Sequence, residues 1–229
     1  MRGVLFDVDD TLVDHSGAQR VAIVDYLASL GLANDAAAVG RWRAAEERHF
    51  GRHLTGELTF QGQRRARVRE MLAAHGGADF DDVAADAWFA GYTTHFEKAW
   101  TTYDDVGAAL DMVISRNLAL GIVTNVDAAH QRRKLRLVGL GSRFDVVVGL
   151  DTLGFGKPDP RVFRHACQLI GTRPRDTVFV GDRLDHDAVG ARDAGLHAVW
   201  LDRSGIVFPD LPDGVTRVAS LGELEAVVA

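Results

Sequence analysis

Several features are scarce in this chain, and each scarcity narrows what it can be. A single cysteine, Cys167, stands among 229 residues. That excludes an internal disulfide and a cysteine-built metal cluster. Five prolines and no low-complexity stretch leave little room for disorder. No apolar run approaches the ~20 residues of a membrane-spanning helix, so no membrane partner is expected. Lysine and arginine number 26 against 32 aspartates and glutamates, a net charge of −6, and no basic run dominates. Nucleic acid, whose binding rests on neutralised phosphates, is not an expected partner either. The opening residues already read as a strand and carry no signal-peptide pattern, so the expected setting is reducing and cytoplasmic. Nothing in the composition speaks to oligomeric state.

What is present starts with residues 3–14, GVLFDVDDTLVD. A short apolar run reads as a buried parallel strand, here ending at Asp7 or Val8. It runs straight into Asp7, Asp9 and Asp10, followed by Thr11. Carboxylates are expensive to bury unless paired or bound to metal. A strand that empties into them suggests a site at its carboxyl end, where open α/β sheets place their ligands.

Helical spacing then takes over. Helices are expected from about residue 16 to Gly31, over 36–50, over 60–75 with a stop at Gly76-Gly77, and over 79–100. No strand pattern interrupts this block. After Thr101 strands and helices alternate. Strands are expected at 118–124, 144–150, 177–181 and 198–201. Helices are expected at 106–116, at 127–138 with Asp127 as cap, from Asp159-Pro160 to Gly171, at 185–194 and at 221–228. The expected fold class is therefore α/β: a Rossmann-like parallel sheet core, residues 1–14 and 101–229, with an inserted all-helical domain, residues 15–100.

Four segments at strand ends carry complementary groups: Asp7, Asp9 and Thr11; Thr124 and Asn125; Lys157 in GFGKPDP; and Asp182 with Asp187. Parallel strands would project them to one edge of the sheet. Close carboxylates repel unless a cation sits among them. Oxygen donors in this number suit Mg²⁺, a hard ion that shares substrate phosphate oxygens. A lysine and a threonine hydroxyl beside it suit a phosphoryl group. An aspartate can attack phosphorus as a nucleophile. A second aspartate two residues on, on the same side by strand period, can serve as acid and base. By the same period Asp10 faces away and reads as a spectator.

With these residues in place the chain resembles the haloacid dehalogenase superfamily. Asp7-Val8-Asp9-Asp10-Thr11 matches its Asp-x-Asp-x-Thr signature, and Thr124 its strand-ending Ser or Thr. Lys157-Pro158 matches its lysine, and Gly181-Asp182 with Asp187 its final acidic motif. The resemblance covers the whole chain, and the helical block resembles the cap of the helical-cap subclass. It implies a phosphoric monoester hydrolase acting on a small phosphorylated metabolite. Asp7 would be the nucleophile and Asp9 the acid and base. Mg²⁺ would be held by the Asp7 carboxylate, the Asp9 backbone carbonyl, Asp182 and Asp187. Thr124 and Lys157 would hold the phosphoryl oxygens, and Thr11 would orient Asp9. The family's dehalogenases lack an aspartate at the position of Asp9, so its presence favours phosphoryl transfer over carbon–halogen cleavage. A phosphomutase, a 2-haloacid dehalogenase and a non-enzymatic binding protein are the alternatives, in that order.

Other residues carry blander readings. His49 and His53, four apart, are expected on a solvated helix face rather than on a metal. His15 and His186 flank the proposed site and are expected to be polar loop residues, with contact to the substrate as the alternative. Cys167 and the aromatics Trp88, Phe89, Tyr92 and Phe96 are expected in cores. Arg64, Arg65, Arg67 and Arg69 are expected on a solvated face. The competing reading is that one or two of these arginines, Arg64 or Arg67, grip a second anionic group on the substrate; Thr11 and Asn125 are further candidate substrate contacts.

Overall fold

In this computed structural model the described residues are 1–76, 80–205 and 210–228. The chain divides into two compact units, one of Met1–Asp14 with Thr101–Ala229 and one of His15–Trp100. The split unit begins with β1, Gly3–Phe6, every residue of which is buried. The helical unit holds α1 (His15–Ser29), α2 (Ala36–Leu54), α3 (Phe60–Ala73) and α4 (Asp82–Ala99). The split unit resumes with α5 (Val106–Ser115), β2 (Ala119–Val123), α6 (Ala128–Leu137), β3 (Val146–Val148), α7 (Leu150–Leu153) and α8 (Pro160–Leu169). It closes with β4 (Thr177–Gly181), a wide helical turn over Leu184–Val189, α9 (Gly190–Asp193), β5 (His197–Leu201), β6 (Val215–Val218) and α10 (Leu224–Val228).

The six strands form one sheet in the order β3-β2-β1-β4-β5-β6, and every pair is parallel. β1 is central, with Leu5 opposite Gly121 of β2 and Phe179 of β4. Because consecutive strands flank β1 on both sides, the order reverses there. Such a switch point opens a crevice at the carboxyl ends of the strands. The sheet buries a cluster including Leu5, Val123, Val148, Phe163, Cys167 and Phe179. Phe163 and Phe179 meet edge to face, centroids 4.9 Å apart. The helical unit has its own core around Trp42, Trp88, Phe89 and Tyr92, with Ile23, Leu27, Val68 and Met71.

Caps explain the helix starts in the helical unit. Asp35, Thr59 and Asp81 each accept a hydrogen bond from a backbone N–H of the following first turn. Where the chain leaves and re-enters the sheet unit, the Asp14 N–H donates to the Thr101 carbonyl at 3.0 Å.

Several expectations are corrected. β1 ends at Phe6, not at Asp7 or Val8. α2 continues through Gly51 to Leu54. The strand expected over 144–150 is only Val146–Val148 and gives way to α7. Asp127 stands at the N-cap of α6 without a side-chain cap bond; Asp151 Oδ1 accepts from Ala128 N at 2.9 Å instead. β6 was not expected at all. The expected start at Asp79 and the stop at Gly77 lie outside the described residues.

The packing of Phe179 generates a stability prediction. Phe179→Ala should destabilise the protein by about 3–5 kcal/mol, the usual cost of a cavity left by a buried phenylalanine. Urea unfolding followed by circular dichroism measures it, and a loss below about 1 kcal/mol would contradict the packing described.

Candidate active site

The chain turns sharply where β1 ends. The N–H groups of Leu12 and Val13 both donate to the Val8 carbonyl at 2.9 Å, and Asp10 adopts a left-handed φ of 58°. Aspartate tolerates that region better than most residues. This turn, not the strand period, sets where Asp9 and Asp10 point. Asp10 Oδ1 accepts from the Tyr103 hydroxyl at 3.4 Å, and its charge helps to raise the pKa of Asp182.

Asp7 is buried at the carboxyl end of β1. Lys157 Nζ donates to Asp7 Oδ1 at 2.5 Å and lies 2.6 Å from Asp187 Oδ1. Asp187 is fully buried, and its Oδ2 accepts from Arg183 N at 3.0 Å. Carboxylate oxygens of Asp7, Asp182 and Asp187 all lie within 4.8 Å of one another. Burial, opposed by Lys157 and aided by the charges of Asp187 and Asp9, raises the Asp7 carboxyl above the usual range. Burial, then Asp7, Asp187 and Asp10, raises Asp182. Burial would lower Lys157, but Asp187 and Asp7 outweigh it and hold the ammonium charged. Oxygen-only donors, with Asp7 and Asp182 raised in pKa, are a donor set that suits a hard divalent cation.

Two glycines make room for this arrangement. A Cβ at Gly181 would meet Asp187 Oδ2 at 2.3 Å, and one at Gly156 would meet Asn125 Oδ1 at 2.2 Å. Asn125 uses both polar ends on the Lys157 backbone: Oδ1 accepts from Lys157 N at 2.6 Å, and Nδ2 donates to Lys157 O at 2.9 Å. Its place is thus to set the Lys157 loop. Thr124 is buried, and its Oγ1 accepts from Val126 N at 3.2 Å and from Gln131 Nε2 at 3.1 Å. Thr11 is buried too, yet its hydroxyl has no hydrogen-bond partner among the described residues, so it does not hold Asp9.

Asp9 is held instead by residues that sequence reasoning missed. Lys134 Nζ donates to Asp9 Oδ1, and Gln131 Nε2 donates to Asp9 Oδ2 at 2.9 Å. Both side chains are buried on α6. A signal existed: the face of this helix that must carry the apolar stripe instead carries Gln131 and Lys134, three apart, beside Leu135.

In the helical unit His49 is buried, with Nε2 2.9 Å from Glu70 Oε2, and His53 Nδ1 lies 3.1 Å from the Leu58 carbonyl. The solvated-face expectation therefore fails for His49, which is buried against Glu70, while His53 is half-buried. His15 opens α1 and packs edge to face on Phe96, while His186 lies 3.5 Å from Asp185. The arginines separate. Arg65 pairs with Asp82 and Asp86, and Arg69 with Asp82. Arg64 lies 4.3 Å over the Phe60 ring. Arg67 is buried, pairs through Nη1 with Glu46 at 2.8 Å and lies 4.4 Å over Trp42. The solvated-face expectation fails for Arg67 because Glu46 and Trp42 offset its desolvation.

Residues 1–195 match the family model of haloacid dehalogenase-like hydrolases. The chain is 32% identical over 253 residues to a phosphoserine phosphatase of Thermus thermophilus, covering 97% of this chain and 99% of that one. It is 30% identical over 247 residues to an N-acylneuraminate-9-phosphatase of Rattus norvegicus, covering 100% and 94%. Among solved structures, the hydrolase YfnB of Bacillus subtilis superposes with a TM-score of 0.84 at 22% identity, covering 99% and 98%, a likeness of fold.

The raised carboxyl of Asp182 yields a pH prediction. A native pKa above the unfolded value, about 3.9, means that the native state keeps a proton the unfolded state has lost. Stability from this group then falls as pH rises from about 4 through the native pKa. In chelator, Asp182→Asn should gain thermal stability relative to wild type as pH is raised from about 5 to 8. A melting difference that does not change with pH would contradict it.

Proposed function

The chain belongs to the haloacid dehalogenase-like hydrolase family, and from that premise we propose that it is a Mg²⁺-dependent phosphatase working through an aspartyl-phosphate on Asp7. It is a phosphoric monoester hydrolase of a small phosphorylated metabolite. The observation that carries the mechanistic reading is the buried Asp7 carboxylate, held by Lys157 at 2.5 Å beside Asp182 and Asp187.

In the first half-reaction a carboxylate oxygen of Asp7 bonds to phosphorus and the ester P–O bond breaks. Asp9 gives its proton to the leaving oxygen. In the second half-reaction Asp9 takes a proton from water, the water oxygen bonds to phosphorus, and Asp7 is released with inorganic phosphate. Lys157 and the Thr124 hydroxyl hold phosphoryl oxygens as negative charge shifts among them. Asp7, Asp182, Asp187 and the Asp9 backbone carbonyl would hold Mg²⁺, which when bound neutralises the clustered carboxylates and phosphoryl oxygens. The single buried thiol, Cys167, accords with a reducing, cytoplasmic setting.

The helical unit acts as the cap that supplies specificity. Arg67, paired through Nη1 with Glu46, is its first candidate, a guanidinium whose charge would suit a second anionic group on the metabolite. Arg64, Asn125 and Thr11 are secondary candidates, Asn125 because its amide already serves Lys157.

Two measurements test this reading. Asp7→Asn should lower Mg²⁺-dependent hydrolysis of p-nitrophenyl phosphate by at least about 10³-fold, and chelation should silence the wild type. Equal rates for variant and wild type would sink the nucleophile assignment. Arg67→Ala should raise KM about 10–100-fold for the metabolite selected from a panel of phosphate esters, the usual worth of charged hydrogen bonds, while sparing p-nitrophenyl phosphate. An unchanged KM for that metabolite would remove Arg67 from recognition.

A further inference from the structure

We infer that Gln131 and Lys134 are positioning residues for Asp9, a polar brace that aims its carboxylate and ties it to Thr124. The inference rests on Asp9 being the proton donor and acceptor proposed above. Asp9 lies beyond the end of β1, on the 8–13 turn, so no sheet ladder fixes its side chain. The two residues of α6 engage both of its oxygens. Lys134 Nζ takes Oδ1, and Gln131 Nε2 takes Oδ2 at 2.9 Å. Held at both oxygens, the carboxylate plane is defined as well as its position.

The same Gln131 nitrogen also donates to Thr124 Oγ1 at 3.1 Å. One amide thereby sets the spacing between the proposed acid–base group and a proposed phosphoryl ligand. Its orientation follows from its neighbour, since turning Oε1 toward Asp9 would oppose oxygen to carboxylate. That orientation leaves Gln131 Oε1 buried without a hydrogen-bond partner among the described residues, a penalty the fold tolerates.

Stability gives little reason for an Asp9–Lys134 pair over apolar residues at both positions. Lys134 is 1% exposed and Gln131 is 0% exposed. An apolar side chain at a buried ion-pair position is often neutral or stabilising when the whole pair is replaced. α6 could bury leucine or methionine at both places and keep the stripe that Leu135 begins. What the polar pair supplies is precision at Asp9, and misplacing a reacting group by about 1 Å can cost about 10²-fold in rate.

Leaving-group dependence tests the brace. A nitrophenolate departs without a proton, whereas an alkoxide needs one, and kcat/KM reports only the steps through departure. Lys134→Met and Gln131→Leu should each lower kcat/KM for an alkyl phosphate such as glycerol 1-phosphate by about 10–100-fold. The same variants should keep kcat/KM for p-nitrophenyl phosphate within about threefold and KM for both esters within about twofold, because Thr124 keeps its hydrogen bond from Val126 N. In an Asp9→Asn background neither substitution should cause further loss.

Equal losses on the two esters, or losses that multiply with that of Asp9→Asn, would overturn the brace. Wild-type rates in both variants while Asp9→Asn is impaired would overturn it alone. Wild-type rates in Asp9→Asn itself would overturn the role of Asp9 and the brace with it. Thermal melting checks the fold, and if Lys134→Met does not fold, Gln131→Leu carries the same comparison.

Discussion

One buried ammonium holds the sheet end together. Lys157 Nζ sits between Asp7 and Asp187, 2.5 and 2.6 Å from their oxygens, at a point where all three groups are almost sealed from solvent. Separately, each of these charges would be prohibitively expensive to bury. Together they leave two positive-seeking carboxylates short of full compensation, since Asp7 and Asp182 remain raised in pKa. That residual imbalance is what suits the site to a divalent cation and a phosphoryl group. Much of the local architecture serves the lysine. Asn125 grips its backbone on both sides, and Gly156 lets that grip close. Gly181 lets Asp187 approach from the end of β4.

The parallel sheet makes the convergence possible. Asp7 leaves β1, Thr124 leaves β2 and Asp182 leaves β4, three neighbouring strands with one direction. Lys157 arrives on the loop between α7 and α8, and Asp9 on a turn braced from α6. The site thus combines groups fixed by strand ends with groups fixed by side-chain contacts. The former are rigid by construction. The latter need partners, which is why buried polar residues gather around Asp9 and Lys157.

What was legible in the sequence follows the same division. Strand-end residues announce themselves, because an apolar run followed by Asp, Thr or Gly-Asp is a local pattern. Asp7, Thr124 and Asp182 stand directly after β1, β2 and β4 in that way, Asp187 lies farther on in the Leu184–Val189 turn, and the alternation that implies a parallel sheet is equally local. Gln131 and Lys134 were passed over because a lysine on a helix reads as solvated until the helix's buried face is known. Arg67 was misjudged for the same reason: only the contacts with Glu46 and Trp42 explain how a guanidinium can be buried. Strand period does not set the direction of Asp9, since the backbone there is a turn with Asp10 left-handed. β3 and β6 escaped or blurred because three or four residues carry too little period to separate strand from loop.

The central claim is that Asp7 takes the phosphoryl group. Rapid acid quench of the enzyme turning over a phosphate ester with Mg²⁺, followed by peptide mass mapping, tests it most directly. The account predicts a hydroxylamine-labile phosphoryl adduct on Asp7 that forms and decays within turnover. Release of phosphate with no adduct on Asp7, or with the adduct on another residue, would contradict it.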